Sequence, residues 1–434
     1  MRRLLSLFSL SFVLAVKAQV STFQVSVANP LPDDRADQPV RVPLGERGPV
    51  TSARVNAGDD EIACQLIDFD QDDRFDELCF LADVKGRETK TYLVTLNDGP
   101  QHKYPARVYA EMVMRNDKVK EKNKHNNFVE SLTVRGDCAN SYNLLHHHGV
   151  DFESELNGIR IYFDKRQTLD LYGKFQKRLE LQQTQFYTSD EQKKEGYGDD
   201  VLWVGNTFGL GAFRGWNGTE PTMVDPVRSR TQRIVSYGPV CTVVEVIDRG
   251  WQLPQLPDSQ TSQHIDMTLR YTQWAGHRDT DVEVLFKDDV GSHHFSTGII
   301  NVKGSVEFSD KAGLRGCWGT DFPSTDTLKW KRETVGLGIL LNKENIVSEE
   351  PANKDNYAFV VKPQNNNSLT SQQLRRSAPS LGAAKNSSVP SSSLRYKVAY
   401  CSANESFGYH SADEWFDWLR RWRHEVDNPV SVTF

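Results

Sequence analysis

The sequence predicts an all-β protein: a large antiparallel sandwich, a small β domain before it and a single helix at the end. Three observations predict this. Short segments of alternating apolar and polar residues recur from about residue 142 to about 400, parted by Gly- and Asp-rich turns. Sustained helical periodicity is nearly absent before the C-terminus. The 434 residues, 38% hydrophobic and 25% charged, suffice for a large core and more than one domain.

Taken in order, the chain begins with a segment read as a signal peptide, residues 1–18. Arg2 and Arg3 form a basic start, and Leu4 to Val16 is an apolar run too short to span a bilayer comfortably. Val16-Lys17-Ala18 places small or branched residues at the cleavage positions, so cleavage is expected after Ala18. Gln19 follows rather than the cysteine of a lipoprotein, and no later stretch reads as transmembrane. The mature protein is therefore expected to be periplasmic or secreted. A net charge of −6 argues against nucleic acid as a partner.

Residues 19–105 read as the small β domain. Phe23 to Val27 alternates, and Thr91 to Leu96 is a second strand ended by Asn97-Asp98-Gly99-Pro100. Between them, Asp68, Asp70, Asp72 and Asp76 have the spacing of a calcium loop. Asp73 stands where the turn glycine belongs and Cys79 where the last glutamate belongs, so a solvated acidic hairpin is the competing reading. The six cysteines are widely and irregularly spaced with no CxxC, which disfavours a zinc ribbon. Cys64 and Cys79 flank the acidic loop and either pair or remain buried thiols.

Residues 106–434 read as the sandwich domain. Its strands include Cys241 to Ile247, Ile265 to Tyr271, Val282 to Phe286 and Val335 to Leu340. Residues 364–393 are poor in apolar residues and rich in Asn and Ser, and read as a disordered surface insert. Residues 411–425 read as a helix. Ser411 and Glu414 suggest a capping box, and Trp415, Phe416, Leu419 and Trp422 make one apolar face. That stripe is packing rather than a binding surface.

The densest chemistry lies between His146 and Lys174. Ile159, Ile161 and Phe163 alternate with Arg160, Tyr162 and Asp164, so a strand sends the apolar trio inward and the polar trio to the other face. His146, His147 and His148 stand just ahead of Asp151, Glu153 and Glu155. Glu153 and Glu155, roughly 7 Å apart along a strand, could serve as a glycosidase pair. The mixture of His, Tyr, Arg and Lys fits β-elimination on a uronic acid better. That reaction needs the carboxylate neutralised, a base for the acidic α-proton and an acid for the leaving oxygen. Arg160 suits the first task, and Tyr162 with His147 or His148 the proton transfers. His146 and His148 could instead hold a divalent metal, calcium or zinc, with Glu153 or Glu155 as a third ligand. Histidines merely hydrogen-bonded at a strand start are the plain alternative.

Three distant clusters join this stretch: Asp199 to Trp203, Tyr271 to Asp279 and Arg315 to Asp321. Each sets a tryptophan beside Arg, His or Asp. Aromatic faces against C–H surfaces and polar groups to hydroxyls are how sugars are held, so an oligosaccharide or polysaccharide is the expected substrate. Glu153, Glu155, Asp164, Lys174, Trp203, Tyr271, His277, Arg278, Trp318 and His410 are the expected binding residues. Each tryptophan taken alone is as well explained by the sandwich core. A sugar epimerase, a glycoside hydrolase or a non-catalytic glycan binder would draw on the same residues.

The stretches His147 to Glu155, Arg160 to Asp164, Asp170 to Lys174, Trp203 to Gly211, Arg270 to Asp279 and Gly408 to Ser411 resemble domain-of-unknown-function family 4861. The resemblance spans nearly the whole mature chain. It implies a β-supersandwich similar to the galactose-mutarotase-like clan. It also implies an exported protein acting beside other enzymes of a Bacteroidota polysaccharide-utilisation system. Related members imply elimination on uronate-containing oligosaccharides, as lyases or dehydratases. The insert at 364–393 departs from the family pattern.

Overall fold

The computed structural model describes residues 19–45, 47–136, 141–254, 263–366 and 390–434. The expected signal peptide lies outside these residues. Among them no helix is long and apolar enough to cross a membrane.

One antiparallel sheet dominates. In spatial order it runs Ser131–Arg135, Ser229–Tyr237, Cys241–Gln252, His264–Trp274, Asp279–Phe286, Ser392–Ser402, Glu333–Leu341, Leu314–Asp321 and Val306–Ser309. Two five-stranded sheets share its core. The first runs Asp199–Asp200, Leu169–Gly173, Gly158–Tyr162, Gly149–Ser154 and Val108–Glu111, and the second includes Arg214–Trp216, Phe295–Ile300 and Asn356–Val361. Phe152, Ile161 and Leu171 of the first, Phe295 and Phe359 of the second, and Val244, Leu269 and Val398 of the large sheet form one apolar cluster. Period-two alternation supplies these residues from one face of every strand, which is why the protein is an all-β supersandwich.

The N-terminal residues build a separate small core around Val25, Val40, Phe80 and Val94. The chain's last strand, Ser431–Thr433, returns to pair with Ser21–Ala28 and so closes an edge of that unit. Cys64, Cys79, Cys241, Cys317 and Cys401 are free, buried thiols, so Cys64 and Cys79 do not pair. Cys138 lies outside the described residues.

The helix spans Ala412–Asp427 and buries the four apolar residues expected of it. It lies on the strands Leu314–Asp321 and Glu333–Leu341. Glycine is required beneath it: a Cβ at Gly338 would sit 2.5 Å from Leu419 Cδ2, and one at Gly336 2.8 Å from the Trp415 ring. The Ser411 hydroxyl accepts the Glu414 N–H at 3.3 Å, but the Glu414 carboxylate accepts from His410 N rather than from Ser411 N. The capping box is thus displaced by one residue. The insert is ordered at its base, where Gln364–Asn365 pairs with Ser392 and Ser393; residues 367–389 lie outside the described residues.

Candidate active site

Four strands carry a polar row on the side away from the core. Tyr109-Ala110-Glu111, Asp151-Phe152-Glu153, Arg160-Ile161-Tyr162 and Asp170-Leu171-Tyr172 each alternate, with the apolar residue inward. Register then does what the sequence cannot show. Glu111 stands opposite Asp151, Asp151 opposite Arg160, and Arg160 opposite Asp170. Cross-strand neighbours of this kind are in side-chain contact range.

An open sheet face would be wet, but this row is covered, and Glu111, Asp151, Arg160 and Asp170 are between 0% and 4% exposed. The cover is the excursion after Gly173, with short helices Leu181–Thr184 and Asp190–Lys194. Glu153 and Lys174 fasten it. Lys174 Nζ donates to Glu153 Oε2 at 2.5 Å and to the carbonyls of Ser154 and Arg178, while the Glu153 carboxylate accepts the N–H groups of Glu180 and Leu181. Gln185 and the His125 backbone clasp each other from the next turn. Both Glu153 and Lys174 are therefore spent on holding the cover and do not face a substrate.

Arg160 sits at the middle of the row. Its Nη2 donates to Asp170 Oδ2 at 2.6 Å, to Asp200 Oδ2 at 3.0 Å and to the Tyr162 oxygen at 3.2 Å. The guanidinium lies 4.2 Å from the Phe186 ring centre, and Nη1 has no hydrogen-bond partner. Tyr162 OH donates to Asp170 Oδ2 at 2.7 Å. Burial pushes the Tyr162 phenol well above its ordinary range; Arg160 opposes the rise, and Asp170 and Asp200 add to it. Arg160 does draw the phenol down, but burial prevails and Tyr162 keeps its proton.

The three histidines part company. His148, with φ of 69°, stacks on Tyr142 at 3.9 Å and meets the Tyr162 ring edge-on at 6.3 Å. Its Nδ1 lies 2.9 Å from the Tyr142 carbonyl, which fixes the N–H there and leaves Nε2 as the lone-pair nitrogen. Burial lowers its pKa to about 4. A left-handed conformation at a non-glycine residue is strained and is held here by the packing around it. Arg166 lies over the rings of Tyr142 and Tyr162, and Lys122 over Tyr187. His146 stacks on His125 at 3.8 Å, and burial lowers its pKa to about 3. His147 is fully buried and turns toward Glu111 and Asp151, 3.6 Å from each carboxylate.

The ligand atoms that converge are accordingly those of Glu111, His147 and Asp151, within 4.8 Å of one another, and neither His146 nor His148 is among them. Glu153, engaged by Lys174, and Glu155, engaged by Arg107, are not placed to be a third ligand. Burial pushes the Asp151 carboxyl well up, and Glu111 and Glu153 push it further. In the acidic loop, Asp68, Asp70 and Asp76 converge without Asp72. They belong to the small domain, and the Asp68 carboxylate accepts the N–H groups of Gln71 and Asp73.

The remaining expected residues do not gather on the row. Glu155 bridges Arg107 and the N–H of Gly276, at the junction with the small domain. Asp164 pairs with Arg166 at a turn. Tyr271 is fully buried in the sandwich core. Trp274 is buried too, and Trp318 packs with the C-terminal helix. Trp203 is 51% exposed and lines a separate depression with Asn206, Lys303 and Asp355. His277 and Arg278 line another, beside Lys177, Phe407 and Trp418. Arg278 is paired with Glu405 at 2.7 Å, and His410 is exposed against the Ala403 carbonyl. Glu111, Asp170, Asp200, Tyr142, Arg166 and Tyr187 were not expected as site residues. For Glu111 and Asp170 the signal was present in their alternation.

No curated protein matches the chain. Among solved structures it is similar to a glycosyl hydrolase family 38 protein from Enterococcus faecalis (10% identity, TM-score 0.47, 95% of this chain and 47% of that one). It is also similar to an alpha-mannosidase from Enterococcus faecalis V583 (10%, 0.45, 95% and 46%). A third is a putative aldose 1-epimerase from Klebsiella pneumoniae subsp. pneumoniae MGH 78578 (7%, 0.29, 74% and 97%). The chain spans about half the length of the first two. Likenesses this distant do not bear on the chemistry. A family model matches residues 27–372 and 371–432, and the chain belongs to that family, described as Domain of unknown function (DUF4861).

Proposed function

We propose that the protein is an exported carbohydrate-active enzyme that cleaves or dehydrates uronic-acid-containing oligosaccharides by β-elimination. One observation carries the reading: His148, Tyr162 and Arg160 form a contiguous set of base, acid and anion partner. His148 Nε2, left free once Nδ1 is bonded to Tyr142, takes the proton next to the uronate carboxyl. Tyr162, protonated at rest, gives its proton to the leaving oxygen. Arg160, through Nη1, balances the charge that develops on the carboxylate. These roles divide the proton transfers, which the sequence left shared between Tyr162 and His147 or His148. His147 turns away from Tyr162, with Nδ1 on the Gly149 carbonyl and Nε2 toward Glu111 and Asp151. The rings of Tyr142 and Tyr187, with Arg166 and Lys122 over them, suit an acidic sugar in a protein of net charge −6.

The test is a panel of pectic, ulvan-like and glycosaminoglycan oligosaccharides, followed by ultraviolet absorbance and product mass. A new unsaturated sugar, or loss of one water per product, supports elimination. Saturated fragments one water heavier would make the protein a hydrolase, and an unchanged mass with altered stereochemistry an epimerase. Binding without turnover on every substrate would leave a glycan-binding protein.

A further inference from the structure

We propose that Glu111, His147 and Asp151 hold one divalent transition-metal ion of the zinc class. The inference stands on the geometry of the sheet and not on the reaction proposed above.

The three side chains come from three segments: the end of the Val108–Glu111 strand, the turn before Gly149 and the Gly149–Ser154 strand. Strand register puts Glu111 beside Asp151, and the preceding turn drops His147 over both. Their relative exposures are 2%, 0% and 0%. Glu111 Oε1, His147 Nε2 and both carboxylate oxygens of Asp151 have no hydrogen-bond partner. Leaving one buried polar atom unpaired costs roughly 1–3 kcal/mol. Three such atoms, one from each residue, lie within 4.8 Å of one another, so one common partner would satisfy them.

That partner is a cation on three grounds. First, the row holds Glu111, Asp151, Asp170 and Asp200 against Arg160 alone, and the hydrogen bonds of Arg160 go to Asp170, Asp200 and Tyr162. Among the described residues no lysine or arginine is bonded to Glu111 or Asp151. Second, His147 Nδ1 lies 2.8 Å from the Gly149 carbonyl, so the proton sits on Nδ1 and Nε2 offers its lone pair inward. This is the outer bond that orients a metal-bound histidine. Tyr109 OH does the same for Glu111, donating to Oε2 at 2.7 Å and leaving Oε1 for the site. Third, the separation of 3.6 Å from Nε2 to each carboxylate is too long for a hydrogen bond. It is about the chord between two ligands ~2.1 Å from one ion at an angle of ~120°.

The donor set selects the metal. One imidazole and two carboxylates suit zinc and its first-row neighbours, whereas calcium and magnesium prefer oxygen donors alone. Three protein ligands also leave a coordination position unfilled by protein.

The experiment measures the metal content of the purified full chain, then strips it with a chelator and reloads it with zinc or cobalt(II) alone. One equivalent per chain, with an unfolding midpoint that rises on reloading, is expected. Asp151→Asn and His147→Gln should weaken zinc binding at least about tenfold, and His146→Gln should leave it unchanged. Folded, stripped wild type that takes up neither zinc nor cobalt overturns the proposal. So does uptake undiminished in both variants. Should the variants not fold, cobalt-loaded wild type decides: visible bands of a histidine–carboxylate set support the site, and a spectrum like that of free aqueous cobalt overturns it. Product analysis tests the elimination reading separately, so either can fail alone.

Discussion

Asp170 accepts three hydrogen bonds through one oxygen: its Oδ2 lies 3.1 Å from Arg160 Nε, 2.6 Å from Arg160 Nη2 and 2.7 Å from the Tyr162 hydroxyl. A single carboxylate thus sets the position of both the anion partner and the proposed acid. Removing one partner of a buried ion pair strands the other, at about 3–5 kcal/mol. Asp200 still reaches Arg160, so Asp170→Ala should cost about 3 kcal/mol, the lower end of that range. Asp170→Asn should cost less, because its amide oxygen still accepts. Denaturant unfolding measures both, and a loss below about 1 kcal/mol for the alanine variant, the size of an ordinary exposed pair, would show the pair to be dispensable.

Tyr162→Phe keeps the ring, its edge contact with His148 and the cation stacking of Arg166, and removes only the hydroxyl. If Tyr162 is the acid, turnover on the responsive substrate falls by about 10²–10⁴ while the binding constant stays within a few-fold. Stability should fall by about 1–3 kcal/mol, because the hydroxyl's bonds to Asp170 and from Arg160 are both lost while those two remain paired with each other. Single-turnover rates set against equilibrium binding make the distinction. Equal loss of both would make Tyr162 a binding residue.

Lys174 and Glu153 clamp the cover to the sheet, and both are fully buried. Lys174→Met leaves Glu153 charged in a dry place and should destabilise by about 3–5 kcal/mol. Adding Glu153→Gln should recover part of that loss, because no unpaired charge then remains. Hydrogen exchange should show the amides of Glu180 and Leu181, which donate to Glu153, losing protection first. Uniform loss of protection across the protein would mean that the clamp serves the whole fold.

These groups were legible in the sequence to different degrees. The His146-to-Lys174 stretch pointed to the right wall, because period two put Asp151, Glu153, Arg160 and Tyr162 on one face wherever the strand lay. What period two cannot supply is register. Glu111 and Asp151 are 40 residues apart in numbering but opposite each other across one ladder step, and only the turn geometry decides that. Local alternation also cannot tell a wet face from a covered one. The Glu153–Lys174 pair therefore looked like substrate contacts when it is a clamp. Trp274 and Tyr271 misled for the opposite reason. Both stand beside polar residues in the sequence, yet both are buried in the fold.

His277 joins the two β units. Its Nδ1 lies 3.1 Å from Asp279 Oδ1 in the large sheet, and its Nε2 lies 2.7 Å from the Asp37 carbonyl in the small domain. Both partners accept, so both ring nitrogens donate and the ring is a cation in this arrangement. Burial opposes that charge, but the hydrogen bond and charge of Asp279 outweigh it, and the pKa is raised above 6.5. The sign follows. The folded protein holds a proton that the unfolded chain releases above about pH 6.5. The stabilisation is therefore complete below pH 6.5 and is lost as pH rises through the raised folded value. Melting temperature recorded upward from pH 6 should fall more steeply in wild type than in His277→Gln, whose amide cannot lose a proton. Above the folded pKa the gap between the two should settle at its smallest. Parallel curves across the whole range would show that the ring is neutral and that one of its two bonds is absent in solution.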